Sequence, residues 1–179
     1  MLSNPVPRKQ IHTREVVFNC FEREDGLWDI EARILDRKPF KLELSHRTWE
    51  PNEPIHDMTI RLTVNQALVV QAIETSMDSH PHGACPEAIE GMKKMIGCRL
   101  GYGWRKAINE NLGRVQGCTH LRELLFNMAT AAFQSVPGGL SGDDEEQPPH
   151  HLGTCKAWDF NGETVLKFYP KFYRWTPKK

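Results

Sequence analysis

Ile55-His56-Asp57-Met58-Thr59-Ile60-Arg61-Leu62-Thr63-Val64 reads as one β-strand. His56, Met58, Ile60, Leu62 and Val64 share one face, while Asp57, Thr59, Arg61 and Thr63 share the other. A period of two sustained over this length belongs to a strand with one face buried in a sheet. Towards the N-terminus the pattern recurs, with Trp28, Ile30, Ala32 and Ile34 alternating with Asp29, Glu31 and Arg33. Glu15 to Glu22 reads as the strand before it, joined through an Asp25-Gly26 hairpin turn. Phe40 to Leu44 reads as a third, short strand, and residues 45–54 (SHRTWEPNEP) as a loop. On the other side, Asn65-Gln66-Ala67 turns the chain into a strand from Leu68 to Thr75. The first half is expected to be a meandering antiparallel sheet.

The second half changes period, and three helices are expected. Pro86 suits the first position of a helix whose Ile89, Met92 and Ile96 form a stripe ended by Gly97. A short helix follows Trp104 and carries Ala107, Ile108 and Leu112 to Gly113. The third is the longest: with Thr119 as N-cap, Leu121, Leu124, Leu125, Met128 and Ala132 recur at helical spacing. Phe126 and Phe133 lie outside that stripe, so this helix is expected to be covered on more than one side. Residues 137–153 (PGGLSGDDEEQPPHHLG) read as a flexible acidic linker, and residues 1–13 as an extended arm. Asn161-Gly162 between aromatic-rich segments predicts a β-hairpin over 154–175 that returns to the sheet. Strands followed by helices give an α+β fold, here read as one domain over 1–179.

At 179 residues the chain is long enough to bury a core without disulfides. Its 23 basic and 23 acidic side chains cancel, so no basic surplus argues for nucleic acid or an anionic membrane. The N-terminus has no apolar signal-like region, and no run approaches a membrane span. Five scattered cysteines without a signal peptide read as reduced thiols in the cytoplasm.

Four places carry chemistry-capable side chains, each with a plain structural alternative. His56 and Asp57 are adjacent in a strand, so they face opposite ways unless a bulge intervenes. Asp57 and Arg61 share the polar face, which is either solvated or the lining of a pocket. His80-x-His82-x-x-Cys85 has a spacing that can hold a metal or form a polar loop. Cys118-x-His120 heads the long helix, where the unpaired N–H groups favour a thiolate and a neutral imidazole; with Cys85 it offers two thiols and a ring nitrogen. Trp28, Trp49 and Trp104 with Arg14 and Arg61 would suit an aromatic ligand, or simply pack a core. No phosphate loop, dinucleotide fingerprint or nucleophile elbow is present.

Several stretches together resemble a bacterial family known as domain of unknown function 2889. They are His12-Thr13-Arg14, Asp25-Gly26-Leu27-Trp28-Asp29-Ile30-Glu31, Pro54-Ile55-His56-Asp57-Met58 with Arg61-Leu62-Thr63, Cys85-Pro86 and Gly117-Cys118-Thr119-His120-Leu121. The ending from Cys155 through Tyr169-Pro170 is similar too, whereas the His80/His82 pair is not part of the pattern. For members like this one the resemblance implies catabolism of lignin-derived aromatics. The activity implied is a lyase that releases formaldehyde from a hydroxymethyl-bearing diaryl (phenylcoumaran-type) compound and leaves a stilbene, without a redox cofactor. Such chemistry needs a general base, a stabiliser for the departing phenoxide and apolar walls. On this reading His56 or His120 is the base and Asp57 orients a histidine. Arg61 or Arg14 neutralises the phenoxide, and Trp28 and Trp104 hold the rings. A zinc-like metal on Cys85, Cys118 and His120 is the alternative electrophile. The competing reading is a non-catalytic module that binds an aromatic ligand or a metal and acts through a protein partner. The aromatic C-terminal ribbon is the candidate contact for a homodimer.

Overall fold

A computed structural model of the chain describes residues 1–137 and 147–176. Its first half contains the strands β1 (Thr13–Glu22), β2 (Trp28–Arg37), β3 (Leu42–Leu44), β4 (Arg47–Trp49), β5 (Pro54–Val64) and β6 (Val70–Ser79). Four of them form an antiparallel sheet in the order β1-β2-β5-β6. The β1–β2 turn closes through an Arg23 N–H to Leu27 carbonyl bond of 2.9 Å, with Gly26 at φ +79°, a conformation that favours glycine. The expected alternation holds. Trp28, Ile30, Ala32, Ile34, Met58, Ile60, Leu62 and Val64 are all buried on one face.

The opposite face of the same strands carries a polar ladder. The Thr63 hydroxyl donates to Asp29 at 2.6 Å, Arg61 to Glu31 at 2.8 Å, and Arg33 to both oxygens of Asp57 at 2.7 and 2.6 Å. These are cross-strand neighbours satisfying one another on the sheet's solvent side.

Two differences from the expected strands matter for the site. The second strand does not stop at Ile34 but runs to Arg37, which adds Asp36 to the apolar face. The stretch 45–54, expected as a loop, contains β4, which pairs with β3 as a separate hairpin inserted between β2 and β5.

The helices cover the apolar face. The one expected from Pro86 is broken into a 3-10 turn over Cys85–Glu87, a short α1 (Ala88–Gly91) and a second 3-10 turn over Met92–Met95. A repeat of three places Met92 and Met95 on the buried side and leaves Ile96 47 % exposed, so the expected Ile96 contact is not made. Helix α2 (Trp104–Leu112) buries Trp104, Ile108 and Leu112 against the long helix α3 (Thr119–Ser135). That long helix packs across β1, β2 and β5 with Leu121, Leu124, Leu125, Met128 and Ala132 turned inward, as its spacing predicts. Its N-cap residue is Cys118, and Thr119, expected there, is the first helical residue. At the α2–α3 corner, a Cβ on Gly117 would stand 2.7 Å from the Leu112 carbonyl oxygen. Glycine lets the chain pass that close and delivers Cys118 to the head of α3.

The β-hairpin expected over 154–175 is not formed, and none of these residues joins the sheet. A carboxylate turns the chain instead: Asp159 accepts the Asn161 N–H at 3.0 Å through its side chain, and its carbonyl takes the Gly162 N–H at 2.7 Å. That bends the chain into α4 (Glu163–Phe168) where a two-residue hairpin turn was expected. Leu152, Val165 and Phe172 form a second small core here, lined by Trp158, Phe160, Tyr169 and Trp175. Of the expected linker 137–153, residues 138–146 lie outside the described residues. Among the described residues, no helix is long and apolar enough to cross a membrane.

Candidate functional site

Sheet register assembles the site. Arg14, Asp36 and His56 are directly opposed positions on β1, β2 and β5, so all three side chains rise from one row of the helix-covered face. His120, in the first turn of α3, closes over that row from above. The His56 and His120 rings lie 4.0 Å apart between centroids, tilted by 36°.

Asp36 is the hub. It is only 2 % exposed. Arg14 grips both of its oxygens, Nε to Oδ1 and Nη2 to Oδ2, each at 2.8 Å. His12 Nε2 lies 3.0 Å from Oδ1, and His56 Nδ1 lies 3.0 Å from Oδ2. His120 Nε2 is 3.9 Å from the same Oδ2, and its Nδ1 is 3.8 Å from the Cys118 thiol. Glu123, one turn along α3, takes the remaining Arg14 nitrogen at 2.9 Å.

The charge states follow from these contacts. Burial pushes the Asp36 carboxyl up, but the Arg14 fork and charge, with His56 and His12 beside it, outweigh that and hold it below the usual carboxylate range. Burial lowers His56, and the neighbouring His120 lowers it further against the pull of Asp36. Burial likewise lowers His120, assisted by the charge of Arg14. Near neutral pH the site is an ionised carboxylate bound to a guanidinium and flanked by two uncharged imidazoles. The partly open ring nitrogens are set to accept protons.

A groove of about 970 Å³ runs between the 82–94 segment and the 115–118 turn, with Cys85 and Cys118 among its lining. Cys118 thus belongs to both the groove wall and the imidazole cluster.

Of the residues singled out from sequence, the structure brings together His56, His120, Arg14 and Cys118. It does not bring the others to them. Asp57 is held by Arg33 on the opposite face of the sheet, so it orients neither histidine; Asp36 occupies that position instead. Arg61 stands on the same outer face, paired with Glu31 and Glu74. Arg14 is at the site, but its nitrogens are committed to Asp36 and Glu123, and it positions the carboxylate. Trp28 lies eight residues along β2 from Asp36, about 26 Å at the usual strand rise. Trp104 is 3 % exposed and donates its indole N–H to the Leu125 carbonyl at 2.7 Å. Both indoles are spent on the core and have no face left for a ligand. His80 turns its ring onto the His82 carbonyl at 2.9 Å, a polar loop contact.

Cys85 and Cys118 do not converge with His120 into a ligand set. Among the described residues, the group of His, Cys, Asp and Glu able to hold a metal is Asp36, His56 and His120, with ligand atoms all within 4.8 Å. Two neutral imidazoles and a carboxylate suit a divalent transition metal in donor type. The outer lone pairs of Asp36 would have to serve it, since Arg14 already occupies both oxygens.

Asp36 was not singled out from sequence, and His12 stood out only within the His12-Thr13-Arg14 stretch of the resemblance, with no role attached. The signal for Asp36 was present: two more residues of the β2 alternation put a carboxylate on the apolar face. His12 belongs to the segment read as an extended arm, and nothing in its spacing ties it to a carboxylate 24 residues away.

The family described as Protein of unknown function (DUF2889) matches residues 12–134. The chain is a DUF2889 protein. No curated protein and no solved structure matches it. The DUF2889 span contains every contact of the Asp36 cluster, from His12 to Glu123. It ends before the C-terminal core, so the similar ending from Cys155 to Pro170 falls outside the match.

Proposed function

We propose that this DUF2889 protein is a carbon–carbon lyase that releases formaldehyde from a hydroxymethyl-bearing diaryl substrate and leaves a stilbene. One observation carries the reading: two touching imidazoles of lowered proton affinity beside a buried carboxylate, with His56 bonded to it and His120 in contact with Cys118, a residue that lines an open groove. With its Nδ1–H donated to Asp36, His56 keeps Nε2 free to take the proton of the primary hydroxyl. The C–C bond to the hydroxymethyl carbon then breaks to give formaldehyde. Its electron pair becomes the new double bond and expels phenoxide from the neighbouring carbon. The imidazolium formed beside Asp36 supplies the counter-charge and returns a proton to the phenoxide. The step is redox-neutral, so these residues suffice without a redox cofactor. A cytoplasmic setting, in keeping with five free cysteines, belongs to the same proposal.

The test is formaldehyde and stilbene release from a phenylcoumaran-type alcohol in cofactor-free buffer. Single His56→Gln and His120→Gln substitutions are expected to lower turnover by ~10²-fold or more with folding intact. Near-normal turnover in both would reject the acid–base assignment.

The convergence of Asp36, His56 and His120 favours a second reading, a metal-binding module acting through a protein partner. Metal analysis of purified protein separates the two. A stoichiometric divalent ion that is lost in both His56→Gln and His120→Gln, with no aldehyde release from the alcohol, would select the binding module.

A further inference from the structure

Cys118 differs from the other cysteines in what its sulfur faces. Cys20 and Cys98 approach backbone carbonyls, of Ala131 at 3.7 Å and Lys94 at 3.8 Å. Cys155 is exposed, and Cys85 lines the groove with no imidazole contact among the described residues. Cys118 Sγ lies 3.8 Å from His120 Nδ1, and the opposite nitrogen of that ring lies 3.9 Å from Asp36 Oδ2. Thiol, imidazole and carboxylate therefore stand in line, in the order of a cysteine nucleophile, its base and the group that orients the base. The thiol contact is within hydrogen-bond reach for sulfur, whereas Asp36 stands beyond it and acts on the His120 ring through its charge. Cys118 is half-buried and lines the groove, so a small molecule in the groove reaches this residue.

We infer that Cys118, with His120 as its proton acceptor, is a nucleophile for small aldehydes and captures the formaldehyde released at this site. The source of the aldehyde rests on the lyase reading; the reactivity of the thiol does not. His120 touches the His56 ring on one side and Cys118 on the other, so a one-carbon product freed at His56 is released within two side chains of the sulfur. In the step, the thiol proton passes to His120, the sulfur adds to the carbonyl carbon, and the C=O π bond opens. The proton then returns to the new oxygen, giving S–CH₂–OH. Nothing is oxidised or reduced, and the reverse reaction frees the aldehyde. Captured product leaves through the groove in a controlled reversal and does not diffuse onto the protein's lysines.

The test uses the full chain, limiting iodoacetamide and peptide mapping by mass spectrometry. Accessibility alone predicts that exposed Cys155 is labelled first. Activation predicts that Cys118 is labelled ~10-fold faster or more at neutral pH, and that His120→Gln removes this preference. Brief prior exposure to millimolar formaldehyde should protect Cys118, and dilution should restore labelling. Labelling of Cys155 first, a Cys118 rate unchanged by His120→Gln, or no protection by formaldehyde would each overturn the proposal. If His120→Gln fails to fold, formaldehyde protection in the unsubstituted chain decides: protection confined to Cys118 supports the inference, and equal protection of exposed Cys155 refutes it. None of these readouts uses the diaryl substrate. Selective labelling without aldehyde release therefore rejects only the lyase, and release without selectivity rejects only the capture.

Discussion

Asp36 is bonded to Arg14, His12 and His56 through a single buried carboxylate, so its removal is felt by all of them at once. Asp36→Asn keeps the shape but leaves the Arg14 charge without its partner and disturbs the imidazole contacts. It should cost about 1–3 kcal/mol in chemical denaturation and abolish most turnover. Asp57→Asn is the informative contrast. Asp57 is itself buried and held by Arg33 on the other face, so the loss should also be about 1–3 kcal/mol, but with turnover within ~2-fold of the parent. A large activity loss in Asp57→Asn would return that residue to the site.

The pH dependence follows from the same contacts. His56 and His120 are lowered from the ordinary value of 6.5, so in the folded chain they remain neutral to more acidic pH than in the unfolded chain. As pH falls through about 6.5 the unfolded chain takes up protons that the folded chain refuses. Stability should therefore be fully present above that pH and decline below it, as seen in thermal melts between pH 7.5 and 5. Turnover, which needs the neutral base, should stay level to a pH below 6.5 before it falls. A rate that drops already between pH 8 and 7 would contradict the lowered imidazoles.

Among the elements, the sheet and the long helix were the most legible parts of the sequence, because burial on one face imposes a period that neighbours cannot hide. His56 was legible for that reason: it continues the Met58-Ile60-Leu62-Val64 face. Asp36 was missed because a charged residue ends the apolar pattern visually while the backbone ladder continues beneath it. The Asn161-Gly162 signal misled because a hairpin and a helix entry use similar turn residues, and Asp159 decided between them through its side chain. The tryptophans misled for the opposite reason: composition shows that flat surfaces exist but not that the core consumes them. Helix α3 makes a direct prediction. Leu121 is fully buried in the first turn of α3, so Leu121→Ala should cost about 2–5 kcal/mol in chemical denaturation.

At the scale of the whole molecule, two apolar clusters are distinct: the sheet–helix core and the small C-terminal one. The family match stops at residue 134, near the end of α3, and includes only the first. A chain ending at residue 137 should keep its cooperative melt, with a midpoint within about 5 °C of the full chain, and should retain aldehyde release. A collapse of either would show that the aromatic C-terminal cluster supports the sheet–helix body.

Row alignment has one more consequence. Arg14, Asp36 and His56 meet only because three strands are paired in one particular alignment. Sliding any of them by a single residue would swing its contribution to the far side of the sheet. Recovery of activity after denaturation therefore works as a proofreader of strand pairing. Misaligned chains that regain strand content and compactness would stay chemically silent.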